Sequence, residues 1–149
     1  MTRRYALGAV LLGLLGAAAI EVAGRSLGVR TALTPSFALD AAAYALATLL
    51  LAALFAGAFR HARGWRSGLA ALAFLLLFAP LAAALAGAID LSVGGWWGES
   101  GMLRGAFIAG PLNLIVTFVL DLPFVALPLG IVSVVVLQRL ARAGAVARR

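Results

Sequence analysis

Three polar residues, spaced four positions apart, lie in the last apolar stretch of the sequence. Asn113, Thr117 and Asp121 occupy positions i, i+4 and i+8 within residues 105–137, so in a helix they share one face. An ionisable group in such a stretch usually faces a bundle interior or a wet cavity, because burial in lipid is costly. This face is a candidate proton or cation site. We favour a structural role over this site. In that role Asn113 and Thr117 form hydrogen bonds across helices, and Asp121 pairs with an arginine.

Two further carboxylates lie at the ends of earlier apolar stretches. Glu21 ends the first stretch and Asp40 begins the second, so both belong to the same side of a membrane and form an outer acidic cluster. Such a cluster is suited to the mouth of an ion pathway. Its members can equally be solvated charges that pair with Arg25, Arg30 and Arg104.

The residue types exclude several kinds of chemistry. The chain has no Cys and no Lys, which excludes disulfides, thiolate metal sites, Schiff bases and a Walker-type phosphate loop. Its single histidine, His61, stands between Arg60 and Arg63, away from the carboxylates. We therefore predict no metal site, no cofactor and no catalytic set, and we expect a protein that is not an enzyme.

The composition indicates that much of the chain is surrounded by lipid. Hydrophobic residues make up 64% of the sequence and charged residues 11%, against about 45–50% and about 25% in soluble proteins. We predict an all-α, polytopic membrane protein with one domain, residues 1–149, and no nucleic-acid partner. A helix needs about 20 apolar residues to cross the bilayer. Four stretches qualify, at about residues 5–23, 39–59, 69–89 and 112–137.

The first and last spans each have a special feature. Arg3 and Arg4, followed by an apolar run and three alanines at 17–19, also fit a secretory signal; a retained helix is the preferred interpretation. The last span is expected to be broken by Gly110-Pro111, after an interfacial outer loop at about residues 90–111.

Prolines are expected to distort the spans further. We expect Pro123 and Pro128 to lie inside the last crossing, with a kink or a short unwound turn between them, because each proline removes a backbone hydrogen bond. Pro80 should kink the third span near its middle for the same reason.

The arginines predict the orientation. With both termini in the cytoplasm, nine of the twelve arginines fall on the inner side, as the positive-inside rule favours. Arginine in place of lysine throughout also suggests a GC-rich bacterial genome, so we expect a bacterial cytoplasmic (inner) membrane. The nine inner residues are Arg3, Arg4, Arg60, Arg63, Arg66, Arg139, Arg142, Arg148 and Arg149.

Aromatic residues near the span ends are predicted to be interfacial anchors. Trp65 lies in the inner loop, Trp96 and Trp97 in the outer loop, and Tyr5 at the inner edge of the first span. Indole and phenol rings favour the headgroup level, where one part of the ring is apolar and the other wet.

Two functions remain open for such a chain. The first is a non-catalytic subunit or accessory protein that binds another membrane protein or its own copies, since small residues at four-residue spacing allow close helix approach. The second is a small oligomeric secondary transporter or channel that uses Asp121. A lipid- or quinone-handling enzyme ranks last, because no nucleophile or metal set is recognisable. The small-residue series are Ala9-Gly13-Ala17 and Ala79-Ala83-Gly87.

Overall fold

The computed structural model describes residues 2–28, 36–92, 115 and 122–146. Within these ranges the chain forms four long α-helices, each long and apolar enough to cross a membrane. The all-helical fold with four membrane-length helices is therefore confirmed, and the first three predicted spans lie inside observed helices. The helices are α1 (Arg3–Leu27), α2 (Phe37–His61), α3 (Trp65–Ser92) and α4 (Pro123–Val146).

Helix α1 is capped at both ends by its own sequence. The Thr2 hydroxyl accepts a hydrogen bond from the backbone N–H of Tyr5 at 3.3 Å, which satisfies one of the amides that the first turn leaves open. At the other end Gly28 adopts a left-handed conformation with φ 69° and donates its N–H to Arg25 and Gly24. Glycine takes this conformation without steric cost, so the helix ends there.

The connection between α2 and α3 is short. Helix α2 ends at His61, where the N–H of Ala62 still bonds to the carbonyl of Ala58 at 2.8 Å. Gly64 then turns the chain with a φ of 55°, and α3 begins at Trp65. A connection of three residues makes the two helices antiparallel neighbours.

The start of α4 differs from the expectation for the last span. Pro123 is the first residue of the helix, and the carbonyl of Leu122 accepts bonds from Val125 and Ala126 at 3.1 and 2.8 Å. Proline suits this position, because its missing N–H would have no partner there. The helix runs unbroken through Pro128 to Val146, so of the two distortions expected between the prolines the unwound turn is wrong, and the kink stays a prediction.

Helix α3 overlaps the start of the predicted outer loop. Helix α3 continues through Pro80 as far as Ser92. The rest of the loop predicted at residues 90–111, including Gly110-Pro111, lies outside the described residues, as does most of the predicted span before Leu122.

Helix α2 is the central element, and small residues bring α1 close to it. A Cβ atom added at Gly13 would lie 2.6 Å from the Cα of Ala45 and 2.7 Å from the carbonyl oxygen of Tyr44. Only a glycine allows this distance. The side of α1 that carries Ala9, Gly13 and Ala17 is buried against α2 for that reason.

The two halves of the bundle are packed differently. Near the α2–α3 connection, the rings of Phe55, Phe59 and Phe74 lie 5.7–6.0 Å apart and fill the core together with residues of α1 and α4. The opposite half is built mainly on alanines of α2 and α3 around Tyr44. The ring of Tyr44 meets Phe78 edge-on at 5.4 Å.

Candidate functional site

The polar face predicted on the last span is not described by the structure. Asn113, Thr117 and Asp121 lie outside the described residues, and so do Trp96 and Trp97. The proton or cation site predicted at Asp121 therefore stays a prediction. The candidate site is built instead from the two other predicted acids, Glu21 and Asp40, and from what surrounds them.

Glu21 forms an ion pair within its own helix. Its Oε1 accepts a hydrogen bond from Nε of Arg25 at 2.7 Å, one turn further along α1. Arg25 is mostly exposed, so the pair stabilises the helix only slightly, by about 0.3–0.5 kcal/mol. Pairing with Arg25 was one of the two roles that the sequence left open for this acid.

Asp40 is a buried carboxylate in the first turn of α2. Its side chain is only 6% exposed, and its backbone N–H bonds to the carbonyl of Ser36 at 3.1 Å. A negative charge here is favoured by the positive end of the helix dipole. Both Asp40 and Glu21 interact electrostatically with the side chain of Tyr44; the outer acidic cluster itself stays a prediction.

Tyr44 belongs to a polar face that the sequence reasoning missed. Asp40, Tyr44 and Thr48 stand at i, i+4 and i+8 on α2 and are all buried. The Thr48 hydroxyl donates to the carbonyl oxygen of Tyr44 at 2.8 Å. The Tyr44 hydroxyl is buried and has no hydrogen-bond partner within the described part of the chain. The same spacing that singled out Asp121 would have found this face.

A cavity of about 290 Å³ lies beside Tyr44, between all four helices. Its lining is mostly apolar and includes few polar side chains. Among the residues that line it are Gly16 on α1, Tyr44 and Thr48 on α2, Phe78 on α3, and Gly130 and Ser133 on α4.

Small residues on α4 explain why the cavity exists. The side of α4 that lines it carries the small residues Ala126, Gly130 and Ser133 together with Leu127 and Leu129. The three small side chains are too short to fill the space that larger residues would occupy. Leu75 of α3 packs over Gly130 of α4, since a Cβ added at Gly130 would lie 2.6 Å from the Cδ2 of Leu75.

Basic residues gather at the opposite end of the bundle. A Cβ added at Gly144 of α4 would lie 3.4 Å from Thr2, and Arg142 donates to the carbonyl of Ala62 at 3.4 Å. The start of α1, the α2–α3 connection and the end of α4 therefore meet at one end. Seven arginines of the described ranges lie there, while Glu21 and Asp40 lie at the other end. They are Arg3, Arg4, Arg60, Arg63, Arg66, Arg139 and Arg142.

Two predicted anchors have different environments. Trp65 is 71% exposed at the basic end, with the Arg66 guanidinium 5.8 Å from the centre of its ring. Tyr5 is only 3% exposed, and its hydroxyl donates to the carbonyl of Ala52 at 2.9 Å. Tyr5 is therefore not an exposed anchor, because its ring is part of the core and its hydroxyl links α1 to α2.

The small-residue series expected at a partner interface lie inside the bundle. Ala9, Gly13 and Ala17 are buried in the α1–α2 contact. Ala79, Ala83 and Gly87 on α3 are buried as well. Close helix approach is therefore used within the chain, and these faces are not free for another protein.

Comparisons with known proteins add no relative. No protein-family model matches the chain, and no curated protein or solved structure matches it either. Among the described residues, no group of three or more His, Asp or Glu side chains is arranged to hold a metal ion. The site is thus characterised by its geometry alone: a buried phenol, two nearby carboxylates and an apolar cavity.

Proposed function

We propose that this chain is a non-catalytic multi-pass membrane protein, a small helical subunit or accessory protein of a membrane complex. Its partner is another membrane protein or a second copy of the same chain. In this proposal the protein lies in a bacterial cytoplasmic membrane, with the basic end of the bundle and both chain termini on the cytoplasmic side. Segregation of the arginines to one end of the bundle supports that orientation.

The proposed partner surface is the outward side of α4. Phe124 is 91% exposed, and Leu127, Ile131 and Val135 are exposed at the following helical spacings. Large side chains in such a row form a ridge that fits the groove of a neighbouring helix. The most apolar segment of α4 also has a smaller buried share than those of the other three helices. Helix α4 therefore has the most surface left for an interface.

Site-directed crosslinking tests this proposal. Because the chain has no Cys, Ile131→Cys can be labelled with a benzophenone maleimide and irradiated in native membranes. Leu15→Cys, near the middle of α1 and also exposed, is the matched control. We expect an adduct from Ile131→Cys and none from Leu15→Cys. Equal adducts from both sites, or a lone monomer after extraction in mild detergent, would contradict the proposal.

A small oligomeric transporter or channel is the second candidate. The observation that favours it is the burial of Asp40 in a largely apolar bundle, since intramembrane carboxylates often mark ion paths. In this candidate Asp121 is the central acid, with Asn113 and Thr117 beside it and Glu21 and Asp40 at the outer mouth. Proton flux into reconstituted vesicles should disappear in Asp121→Asn while assembly persists. Wild-type flux no higher than that of empty vesicles rules this candidate out.

A further inference from the structure

The positive charge at the basic end of the bundle is not neutralised by the described part of the chain. No Asp or Glu occurs in residues 1–20, 41–89 or 122–149, which include all the described residues at that end. The ion pair between Glu21 and Arg25 lies at the opposite end. Anions from outside the chain must therefore balance these charges, and in a membrane the nearest anions are lipid headgroups.

A second cavity, of about 580 Å³, lies at the connection between α2 and α3. Small-molecule pockets measure about 300–1,000 Å³, so this one has room for a phospholipid headgroup. Arg142 of α4 brings a further guanidinium to its rim, because it donates to the carbonyl of the lining residue Ala62 at 3.4 Å. The lining consists of His61, Ala62, Arg63, Trp65 and Arg66.

The two arginines of this lining have unused hydrogen-bond donors. Arg63 and Arg66 are exposed, and neither forms a hydrogen bond or an ion pair with the described part of the chain. The Arg66 guanidinium lies 5.8 Å from the centre of the Trp65 ring, and this cation–π contact holds it beside the cavity. A guanidinium donates two parallel hydrogen bonds to a phosphate. The cavity is therefore suited to a phosphodiester group.

The charges around the cavity select a headgroup with a net negative charge. A zwitterionic phospholipid carries an ammonium group close to its phosphate. That ammonium would lie among Arg63, Arg66 and Arg142, with no carboxylate at this end of the described ranges to pair with it. Like charges in such proximity are unfavourable. A phospholipid without an ammonium, such as phosphatidylglycerol, avoids this repulsion.

An exposed apolar row on α3 continues from the cavity along the helix. Trp65, Leu69, Leu72 and Leu76 stand at i, i+4, i+7 and i+11, and each is more than half exposed. Residues at these spacings lie on one helix face. The row extends about 16 Å along the helix axis, close to the roughly 15 Å of hydrocarbon in one leaflet. One acyl chain of a lipid whose headgroup occupies the cavity can therefore lie along the whole row.

We propose that the cavity at the α2–α3 connection is a binding site for one anionic phospholipid. Arg63 and Arg66 donate hydrogen bonds to its phosphodiester group, and one acyl chain lies along the α3 row from Trp65 to Leu76. The site rests on the membrane placement in the proposed function. It depends neither on the partner surface of α4 nor on the side of the membrane that the basic end faces.

Quenching of Trp65 fluorescence by brominated lipids tests this proposal in the full chain. The background chain carries Trp96→Phe and Trp97→Phe, which leaves Trp65 as its single tryptophan. It is reconstituted in phosphatidylcholine vesicles that contain equal amounts of dibrominated phosphatidylglycerol or dibrominated phosphatidylcholine. We expect phosphatidylglycerol to bind beside Trp65 about fivefold more tightly, as one additional negative charge near arginines would give.

Two paired variants separate the site from the general positive charge of this end. Arg63→Gln combined with Arg66→Gln should abolish the preference for phosphatidylglycerol, because the phosphate loses both guanidinium donors. Arg3→Gln combined with Arg4→Gln is the matched control and should keep the preference. It removes the same charge from the same end, but from exposed residues outside the cavity.

A change of buffer anion distinguishes a bound lipid from a bound free anion. Inorganic phosphate in place of chloride, at equal ionic strength, should leave the preference for phosphatidylglycerol unchanged. Free phosphate has no acyl chain to lie along the apolar row of α3, so it should not displace the lipid.

Three results would overturn the proposed lipid site. The first is equal quenching of the background chain by the two brominated lipids. The second is an equal loss of preference in both paired variants, which would assign it to the diffuse charge of this end. The third is loss of the preference in phosphate buffer, which would assign the cavity to a free anion. Quenching by neither lipid would overturn the membrane placement as well, so the two failures are distinguishable.

Discussion

Removal of the Tyr44 hydroxyl should make the protein more stable. The hydroxyl is buried without a partner in the described ranges, whereas the ring contacts Phe78 at 5.4 Å. Tyr44→Phe keeps the ring contact and deletes only the unpaired polar group. Leaving a buried hydroxyl unsatisfied costs about 1–3 kcal/mol, and polar interactions within membrane bundles are at the low end of such values. We expect a gain of about 1 kcal/mol.

Tyr5→Phe is the matched comparison, because the same atom is deleted from a different environment. The Tyr5 hydroxyl donates to the carbonyl of Ala52 at 2.9 Å and is equally buried. Its loss removes a made hydrogen bond, so we expect a decrease in stability of about 1 kcal/mol. The same chemical change should therefore shift the free energy of unfolding in opposite directions at Tyr44 and Tyr5.

Thermal unfolding in one detergent measures both variants side by side. For a chain of this length, 1 kcal/mol corresponds to roughly 2–4 °C in Tm, so we expect Tyr44→Phe to unfold above wild type and Tyr5→Phe below it. If Tyr44→Phe unfolds as far below wild type as Tyr5→Phe, the Tyr44 hydroxyl has a partner. That result would refute the assignment of Tyr44 as an unpaired buried hydroxyl.

Two further substitutions test packing and charge. Gly13→Ala places a Cβ 2.6–2.7 Å from backbone atoms of α2, so it should destabilise the bundle by about 1–3 kcal/mol. Gly57→Ala is the control, because its Cβ meets open space, and it should not lower the Tm. An unchanged Tm for Gly13→Ala would contradict the close α1–α2 contact. Glu21→Gln breaks the ion pair with the exposed Arg25, and the loss of that pair should cost no more than about 0.5 kcal/mol, a shift of roughly 1–2 °C in Tm. A much larger loss would show that Glu21 is held mainly by other groups.

The positions of the helices could be predicted from the sequence because hydropathy alone determines them. Long apolar stretches with charged ends at Arg3, Arg60 and Arg66 leave little choice about where a membrane helix lies. The last helix was harder to place. Its start depends on whether Pro123 interrupts a helix or begins one, and the residue type permits both.

The direction in which each side chain faces could not be predicted in the same way. In a soluble helix the apolar face marks the core, but these helices are apolar all round, and lipid and core select the same residue types. Tyr5 was therefore expected at the membrane surface although it is buried, and the series around Gly13 was expected at an external interface although it is internal. Tyr44 was overlooked because a lone tyrosine among alanines carries no charge.

The orientation of the bundle is tested most directly by labelling single cysteines in intact cells. His61→Cys is exposed at the basic end and Ser26→Cys at the acidic end, and neither substitution removes an arginine. A membrane-impermeant maleimide should label Ser26→Cys in intact spheroplasts and His61→Cys only after the membrane is permeabilised. The reverse pattern, or labelling of both sites in intact spheroplasts, would contradict a membrane-spanning bundle with its basic end in the cytoplasm.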